Sequence, residues 1–306
     1  MLNKMKIIYM GTPDFAVPCL RGLIDAGHEI LLVVTQPDKP VGRKQILTPP
    51  PVKELALQHG IEVYQPEKLK TDEAYEKLAS YDADFFVVAA YGKILPKRIL
   101  DLPKYACVNV HGSLLPKYRG AAPIQWAVIN GEEYAGVTTM LMGEGLDTGD
   151  MLLRYETKIG ENETAGELFD RLAESSPDLL LETLEKYAKG EIVPEKQNDD
   201  EATYAPMLDK QLAEIDSSKD AKTIFSLIKG MNPWPVANTV IGGVRMKIFS
   251  ASISDKTSDK PSGTAFNDKG RLAFVCGDGV ILYFDEIQPE GKKRMKAEDY
   301  LRGHEI

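Results

Sequence analysis

The sequence predicts an α/β protein, with a doubly wound, mostly parallel sheet of Rossmann-like type followed by a small, OB-like β-barrel. Three observations lead to this prediction. The first part of the chain alternates apolar strand patterns with helical ones, the last part has short strands between Gly, Asp and Ser turns, and a polar, Pro-bearing stretch separates them. With 306 residues the chain is long enough for two domains. We expect these over residues 1–190 and 207–306, joined by a linker over 191–206.

The strands of the first domain are continuous apolar runs, which is the pattern of a parallel sheet covered on both faces. They are KIIYM, EILLVVT, IEVYQ, ADFFVVAAY and CVNVHGS, in chain order. The segments between them have the apolar spacing of helices, which predicts right-handed crossovers. A further helical pattern over 163–190 is expected to break at Pro177, because proline lacks the backbone N–H that a helix interior needs.

The second domain is predicted to contain a helix ending at Gly230, a rigid NPWP turn and several short strands. The strand patterns are NTVI, VRMKIFSASI, RLAFVC and GVILYFDEIQ. Short strands at this spacing are typical of a small barrel or sandwich, and a barrel of this size is compatible with an oligonucleotide-binding fold.

The composition excludes collagen-like, coiled-coil, disordered and membrane-spanning proteins. The chain is 43% hydrophobic and 27% charged, which is ordinary for a globular protein, and it has no apolar run of eighteen residues. Its start shows no signal or transit pattern, so we expect a cytoplasmic protein without membrane contact. The net charge of -9 is uneven, because residues 207–306 hold 15 Lys and Arg against 14 Asp and Glu. A polyanionic partner would therefore have to meet local basic patches.

The cysteines and histidines do not form a ligand pattern. Three cysteines lie far apart, and the four histidines lack metal-ligand spacing, so we expect neither a disulfide framework nor a metal. His28, His59 and His304 stand beside turns or the terminus and are predicted to be surface residues.

The strongest candidate for chemistry is the end of the CVNVHGS strand. Asn109 and His111 are two residues apart, so their side chains project from the same face of a strand. The carboxyl ends of such strands form the ligand crevice of a doubly wound domain. An amide and an imidazole there can stabilise a carbonyl oxygen that gains negative charge, and His111 can also transfer protons. The alternative is a capping Asn109 and a structural His111.

A nucleotide-binding loop is not indicated at the first strand. Gly11-Thr12-Pro13 stands where a dinucleotide-binding protein has GxGxxG, and Pro13 removes a donor from the phosphate cradle. This counts against an NAD- or FAD-dependent oxidoreductase.

Several longer motifs together resemble the folate-dependent formyltransferases, in particular those that act on methionyl-tRNA. The most specific is HGSLLPKYRGAAPIQ, and it is accompanied by GTPDFA, TQPDKPVGRK, VVAAYGKILP, GLDTGDML, NPWP, GDG and GKKRMKAED. The resemblance covers both predicted domains. It implies transfer of the formyl group of 10-formyltetrahydrofolate to the α-amino group of methionyl initiator tRNA.

The resemblance also implies roles for individual residues. The catalytic residues are Asn109, His111 and Asp147, of which Asp147 would hold His111 and relay a proton. The folate-binding residues are Tyr91, Gly92, Ile94, Ser113, Leu114, Leu115 and Pro116. The tRNA-binding residues are Arg43 and Lys44, in the proline-rich loop from Gln36 to Pro51, and the basic run of Lys292, Lys293 and Arg294.

Two other functions stay open from the residues. A formyltransferase for a nucleotide-linked amino sugar would share the catalytic residues, but the Gly42-Arg43-Lys44 loop and the C-terminal basic run favour tRNA. A non-catalytic RNA-binding protein would not need Asn109, His111 and Asp147 together. We expect the chain to act as a monomer.

Overall fold

The computed structural model describes residues 4–42 and 44–306, and these form two compact units. The first unit holds the chain up to Ala121 together with Gly136–Thr157 and Phe169–Ala205. The second unit holds Ala122–Ala135, Lys158–Leu168 and Pro206–Ile306. Two short segments of the predicted first domain thus pack with the C-terminal part, and the predicted domain bounds at 190 and 206 stay predictions.

The elements follow one another in chain order. The strands are β1 Lys6–Gly11, β2 Glu29–Val34, β3 Lys39–Val41, β4 Ile46–Thr48, β5 Val63–Tyr64, β6 Phe85–Ala89, β7 Ala106–His111, β8 Arg119–Gly120, β9 Tyr134–Leu141, β10 Met151–Lys158, β11 Tyr204–Ala205, β12 Asn238–Ile241, β13 Val244–Thr257, β14 Ala265–Asp268, β15 Arg271–Val275, β16 Val280–Pro289 and β17 Met295–Lys296. The helices are α1 Ala16–Asp25, α2 Pro51–Gln58, α3 Asp72–Ala79, α4 Lys97–Leu100, α5 Pro123–Ile129, α6 Ala165–Ala188, α7 Ala221–Gly230 and α8 Ala297–Leu301.

The first unit is built on a seven-stranded sheet with the order β10-β9-β7-β6-β1-β2-β5. Strands β7, β6, β1, β2 and β5 are parallel to one another, and β9 joins β7 in the antiparallel direction. The order turns back at β1, from which β2 and β6 extend to opposite sides, as in a doubly wound sheet. The predicted fold class of this part is confirmed.

Both faces of the sheet are buried, because successive residues of a strand point alternately into two apolar layers. Ile8 and Met10 of β1 join a core cluster that includes Ala74 and Leu78 of α3. Ile7 and Tyr9 therefore point to the opposite face, and the Tyr9 hydroxyl donates to the Ala16 carbonyl, at the start of α1, at 2.5 Å. All four β1 residues named here are fully buried. Because both faces of the sheet are covered, strand residues that point to either face are buried, which explains the continuous apolar runs in the sequence.

The predicted break at Pro177 is wrong, because α6 runs without interruption through Pro177. The residue lacks one helical hydrogen bond, but its ring packs against α1, where Gly22 leaves no room for a Cβ atom. Tertiary packing thus outweighs the local cost. Although α6 is 24 residues long, no helix in residues 4–42 and 44–306 is long and apolar enough to cross a membrane.

The prediction that His28 lies on the surface is also wrong. Its exposed fraction is 7%, and its Nδ1 accepts the Met5 N–H at 3.3 Å, just before β1. A polar ring beside a turn looks like a surface residue in sequence, but here it satisfies the backbone at the start of the central strand.

The second unit contains an antiparallel sheet with the order β12-β13-β16-β15-β14, and β17 pairs with β16. Strand β13 is 14 residues long and its pairing with β16 shifts register at three places, which lets the sheet curl. The concave core includes the stacked rings of Phe274 and Phe284 and residues of α7 and α8. The predicted small barrel is confirmed as a curled sheet, in which β14 and β17 have no counterpart among the predicted strands.

Candidate active site

Strand β7 places the two central polar residues of the site. Asn109 pairs with Val88 of β6 and Met140 of β9, and His111 pairs with Thr138 of β9, so both lie on one face at the end of an interior strand. Their exposed fractions are only 7% and 6%. Buried polar side chains at a strand end are costly unless they are partnered or await a ligand.

The histidine has a defined orientation. His111 Nε2 lies 2.9 Å from the Tyr118 carbonyl oxygen. A carbonyl only accepts hydrogen bonds, so Nε2 carries the proton and Nδ1 of the neutral ring carries the lone pair. Nδ1 is therefore the nitrogen that is free to accept a proton.

The carboxylate predicted as its partner faces this nitrogen. Asp147 Oδ2 lies 3.7 Å from His111 Nδ1 and accepts the Gly120 N–H at 2.8 Å. Asp147 has φ 51°, the left-handed conformation, which an aspartate adopts more easily than most residues but still at a cost. The loop between β9 and β10 is thus shaped to direct this carboxylate at the histidine.

The amide of Asn109 is available for a ligand. Across the residues that the structure describes, its side chain has no hydrogen-bond partner, although the residue is almost fully buried. An unpaired amide can donate to a ligand oxygen that comes within hydrogen-bond distance. The site therefore combines one free donor with a histidine–carboxylate pair.

Two buried polar residues near Asp147 were not identified from the sequence. Arg119 and Gln197 expose 2% and 5% of their surface, and Arg119 Nε donates to Gln197 Oε1 at 2.9 Å. Gln197 stands in the polar stretch that was expected to be a linker, where a glutamine gives no signal of its own. Arg119 lies within the HGSLLPKYRGAAPIQ motif, which could have directed attention to it.

The predicted folate-binding residues after β7 form a tight, partly apolar turn. Ser113 Oγ donates to the Lys117 carbonyl at 2.6 Å, and the Ser113 carbonyl accepts from Thr138 Oγ1 at 2.7 Å. Leu115 is buried against Met140 and Met151, while Leu114 and Pro116 are half-buried. Leucines at these positions therefore serve partly as core and partly as accessible apolar surface.

The second predicted folate segment follows β6. The Tyr91 ring is 1% exposed and its hydroxyl lies in the core, where burial raises its pKa well above the usual value. The Tyr91 carbonyl accepts hydrogen bonds from Thr12 Oγ1 and Gln36 Nε2, which ties the ends of β1, β2 and β6 together. Gly92 is exposed with φ 77°, and Ile94 is 64% exposed. Ile94 is thus the residue here that offers apolar side-chain surface.

The proline-rich loop forms a short hairpin of β3 and β4 rather than an irregular loop. Arg43 lies outside the described residues, and Lys44 is an exposed residue of the connecting turn. The hairpin base is fixed by Asp38, whose carboxylate accepts from both Gln65 and Lys53 at 2.8 Å. These two donors, Gln65 first, lower the pKa of Asp38.

The basic run at the end of the second unit is only partly free. Arg294 makes a bidentate pair with Glu286 and lies over the Phe249 ring, and Lys292 donates to His304 at 2.9 Å. Lys293 is exposed. The positive charge of this run is thus reduced by Glu286, which single-sequence spacing does not reveal.

Comparison with known proteins covers both units. The family model described as Formyl transferase matches residues 4–184, and that of its C-terminal domain matches 207–305. The chain is similar to a methionyl-tRNA formyltransferase of Clostridium novyi (strain NT), at 52% identity over 99% of this chain and 98% of the relative. That of Bacillus subtilis (strain 168) is 46% identical over 98% and 95% of the two chains.

A solved structure has the same fold at low identity. The N-formyltransferase of Helicobacter canadensis, in complex with folinic acid and dTDP-3-aminofucose, superposes with a TM-score of 0.71 at 19% identity. The match covers 93% of this chain and 99% of that one.

Proposed function

Because the chain belongs to the family of methionyl-tRNA formyltransferases, we propose that it transfers the formyl group of 10-formyltetrahydrofolate to the α-amino group of methionyl initiator tRNA. The product starts translation as N-formylmethionyl-tRNA. The observation that carries the proposal is the near-complete, 46–52% identical match together with the Asn109, His111 and Asp147 arrangement. We expect the chain to act as a monomer in the cytoplasm.

Asn109 is proposed to stabilise the developing negative charge. Attack of the neutral amine on the formyl carbon shifts electrons onto the formyl oxygen. The unpaired amide of Asn109 can donate to that oxygen from a fixed strand position. A donor that is already oriented costs no reorganisation during the reaction, and one such donor commonly contributes about a hundredfold or more to turnover.

His111 and Asp147 are proposed to take the proton that the amine must lose. Nδ1 is the accepting nitrogen of His111, because Nε2–H is held by the Tyr118 carbonyl. The Asp147 carboxylate, 3.7 Å away, stabilises the imidazolium that forms. The formyl donor supplies the one-carbon group, and its nitrogen gains one proton as the C–N bond breaks, so no covalent enzyme intermediate is required.

The residues present fit a flat folate ring. Ile94, Leu114 and Pro116 keep apolar surface accessible, and the tight turns around them present backbone groups. Ligand sites of this kind are mostly apolar with a few oriented polar groups. We propose that Tyr91, Gly92 and Ser113 shape the backbone of this wall and that Leu115 supports it from the core.

The β3–β4 hairpin and the second unit are proposed to contact the tRNA. Lys44 places an exposed positive charge at the hairpin turn, Arg43 precedes it in the sequence, and Lys293 is an exposed cation of the second unit. Such charges recognise phosphates, while Arg294 is partly neutralised by Glu286 and contributes less. Lys292, which is bonded to His304, remains part of the proposed surface.

A formyl-transfer assay tests the function. The chain is supplied with 10-formyltetrahydrofolate and one of three acceptors: charged initiator methionyl-tRNA, the same tRNA uncharged, or an amino-sugar nucleotide. We expect product with the charged tRNA alone. Formylation of only the sugar nucleotide would leave the catalytic residues in place and overturn the proposed acceptor.

A further inference from the structure

Three hydrogen bonds tie the side chain of Gln197 to the loop that holds Asp147 and to Arg119. Nε2 donates to the Asp147 carbonyl at 2.8 Å and to the Gly149 carbonyl at 2.7 Å. Oε1 accepts from Arg119 Nε at 2.9 Å. Gln197 therefore spans the two backbone positions that flank Thr148, immediately after the proposed catalytic carboxylate.

The two residues of strand β8, Arg119 and Gly120, also hold Gln197 and Asp147. Arg119 is buried, orients the Gln197 amide and donates from Nη2 to Asp199 Oδ1 at 2.8 Å. The N–H of Gly120 donates to Asp147 Oδ2. Asp147 is thus held at its backbone by Gln197 and at its carboxylate by Gly120.

The strand contacts around this pair explain why Gln197 stays in place. Strand β11 pairs with β8, and a Cβ atom on Gly120 would lie 2.7 Å from the Ala205 carbonyl oxygen, so only glycine permits this approach. Glu195 exchanges backbone hydrogen bonds with Met151 at the start of β10. The stretch that the sequence suggests to be a linker is therefore anchored on both sides of Gln197.

The side chains on either side of Asp147 contribute little to holding the loop. Leu146 is 53% exposed, and Thr148 is exposed as well. Asp147 has the left-handed φ of 51°, which a free loop would tend to leave. The exposed side chains of Leu146 and Thr148 do little to hold this conformation, whereas the two Gln197 hydrogen bonds oppose its relaxation.

We propose that Gln197 is a positioning residue for formyl transfer, which keeps the Asp147 carboxylate directed at His111 Nδ1. The inference rests on the proposed function of that pair. Its role is indirect, since the Gln197 amide contacts backbone carbonyls and Arg119 rather than the reacting groups.

Gln197→Glu is the sharpest variant. It keeps the length of the side chain and the acceptor for Arg119, but replaces both N–H donors by a carboxylate oxygen that repels two carbonyl oxygens. We expect kcat to fall by about tenfold or more, because small displacements of a catalytic group have effects of this size. The KM values for folate and methionyl-tRNA should stay within about twofold, and the pH profile of kcat should change shape.

Gln58→Glu is the matched control. Gln58 is an exposed residue at the end of α2, and its side chain makes no hydrogen bond with the residues that the structure describes, so the same chemical change there should leave kcat and the pH profile unchanged. If Gln197→Glu lowers only thermal stability while kcat and its pH profile match the wild type, the residue is structural and the inference is wrong. If Gln197→Glu does not fold, the neutral Gln197→Met serves as the second variant.

Amide hydrogen exchange gives a readout that does not depend on turnover. The Gly120 N–H is bonded to Asp147 Oδ2, so its exchange rate reports whether the carboxylate is held. We expect faster exchange in Gln197→Glu and Gln197→Met, and no change in Gln58→Glu. Unchanged exchange in both Gln197 variants would overturn the inference even if the wild type formylates another acceptor, whereas a failed wild-type assay alone would overturn only the proposed function.

Discussion

At the scale of single residues, the hydrogen bond from His111 Nε2 to the Tyr118 carbonyl leaves Nδ1 as the nitrogen available for the proposed proton transfer. The strand spacing of Asn109 and His111 predicts a shared face, but not this tautomer. The carbonyl acceptor comes from a turn seven residues later, so its position depends on how that turn folds back.

His111→Ala is expected to lower kcat by about a hundredfold or more, because it removes the proposed proton acceptor.

Asp147→Asn should also lower kcat, since the amide oxygen can still accept from Gly120 but no longer carries the negative charge. Steady-state kinetics with both substrates measures the effect. Turnover equal to the wild type in either variant would exclude that residue from catalysis.

His28 provides a pH-dependent contribution to stability. Burial lowers the pKa of the His28 imidazole, and its Nδ1 is already an acceptor for Met5. The unfolded chain therefore binds a proton first as the pH falls below about 6.5, so the free energy of unfolding decreases in that range. Above this range the neutral ring is present in both states and the dependence disappears.

The asparagine variant tests this contribution. His28→Asn can keep an acceptor for the Met5 N–H but cannot take up a proton. We expect urea unfolding to show a smaller loss of stability between about pH 7.5 and 5.5 in the variant than in the wild type. Equal losses in the two proteins would contradict the role of His28.

At the scale of elements, the β3–β4 hairpin shows how a polar, proline-rich segment becomes ordered. Proline and charge exclude a helix, as predicted, but the hairpin is set by contacts that lie further along the chain. Asp38 accepts from Lys53 and Gln65, and Lys39 donates to Gln36. Lys53 belongs to α2 and Gln65 follows β5, so no local pattern contains them.

Arg43→Ala and Lys44→Ala are expected to weaken the use of methionyl-tRNA while folate affinity stays the same, because the hairpin turn carries charge for phosphate. The KM for each substrate measures this separation. Lys189→Ala, which removes an exposed lysine paired with Glu185 of α6, is the control and should change neither. A parallel loss of folate affinity would mean that the turn is structural.

At the scale of the whole molecule, the charge distribution limits how the chain can bind the proposed tRNA partner. The chain carries a net charge of -9, with its acidic excess in the first 206 residues, yet the proposed partner is a polyanion. Binding must then depend on a few local cations, and displacement of counterions from the RNA makes such binding sensitive to salt.

Affinity for methionyl-tRNA is therefore expected to fall steeply between about 50 and 200 mM salt, whereas folate affinity should change little. Equilibrium binding at several salt concentrations, with folate as the internal comparison, measures both. A flat response for the tRNA would remove the argument from the basic residues.

The amino-acid pattern alone predicts the class of both units, because continuous apolar strands and short alternating strands reflect local burial patterns. It also predicts that Asn109 and His111 share one face of a strand, and the motif resemblance identifies Asp147. It did not predict the continuity of α6 at Pro177, because packing against Gly22 offsets the missing hydrogen bond.

The contacts that hold the site together emerge from the folded structure. The approach of Asp147 to His111, and the contacts of Arg119 and Gln197 that support it, include a hydrogen bond between residues 78 positions apart in the chain. Sequence periodicity predicts which residues of one helix or strand share a face. A buried hydrogen bond between distant segments depends instead on how the chain folds to bring those segments together. Local sequence patterns therefore predict the type of fold, whereas the geometry of the proposed catalytic pair depends on contacts between distant segments.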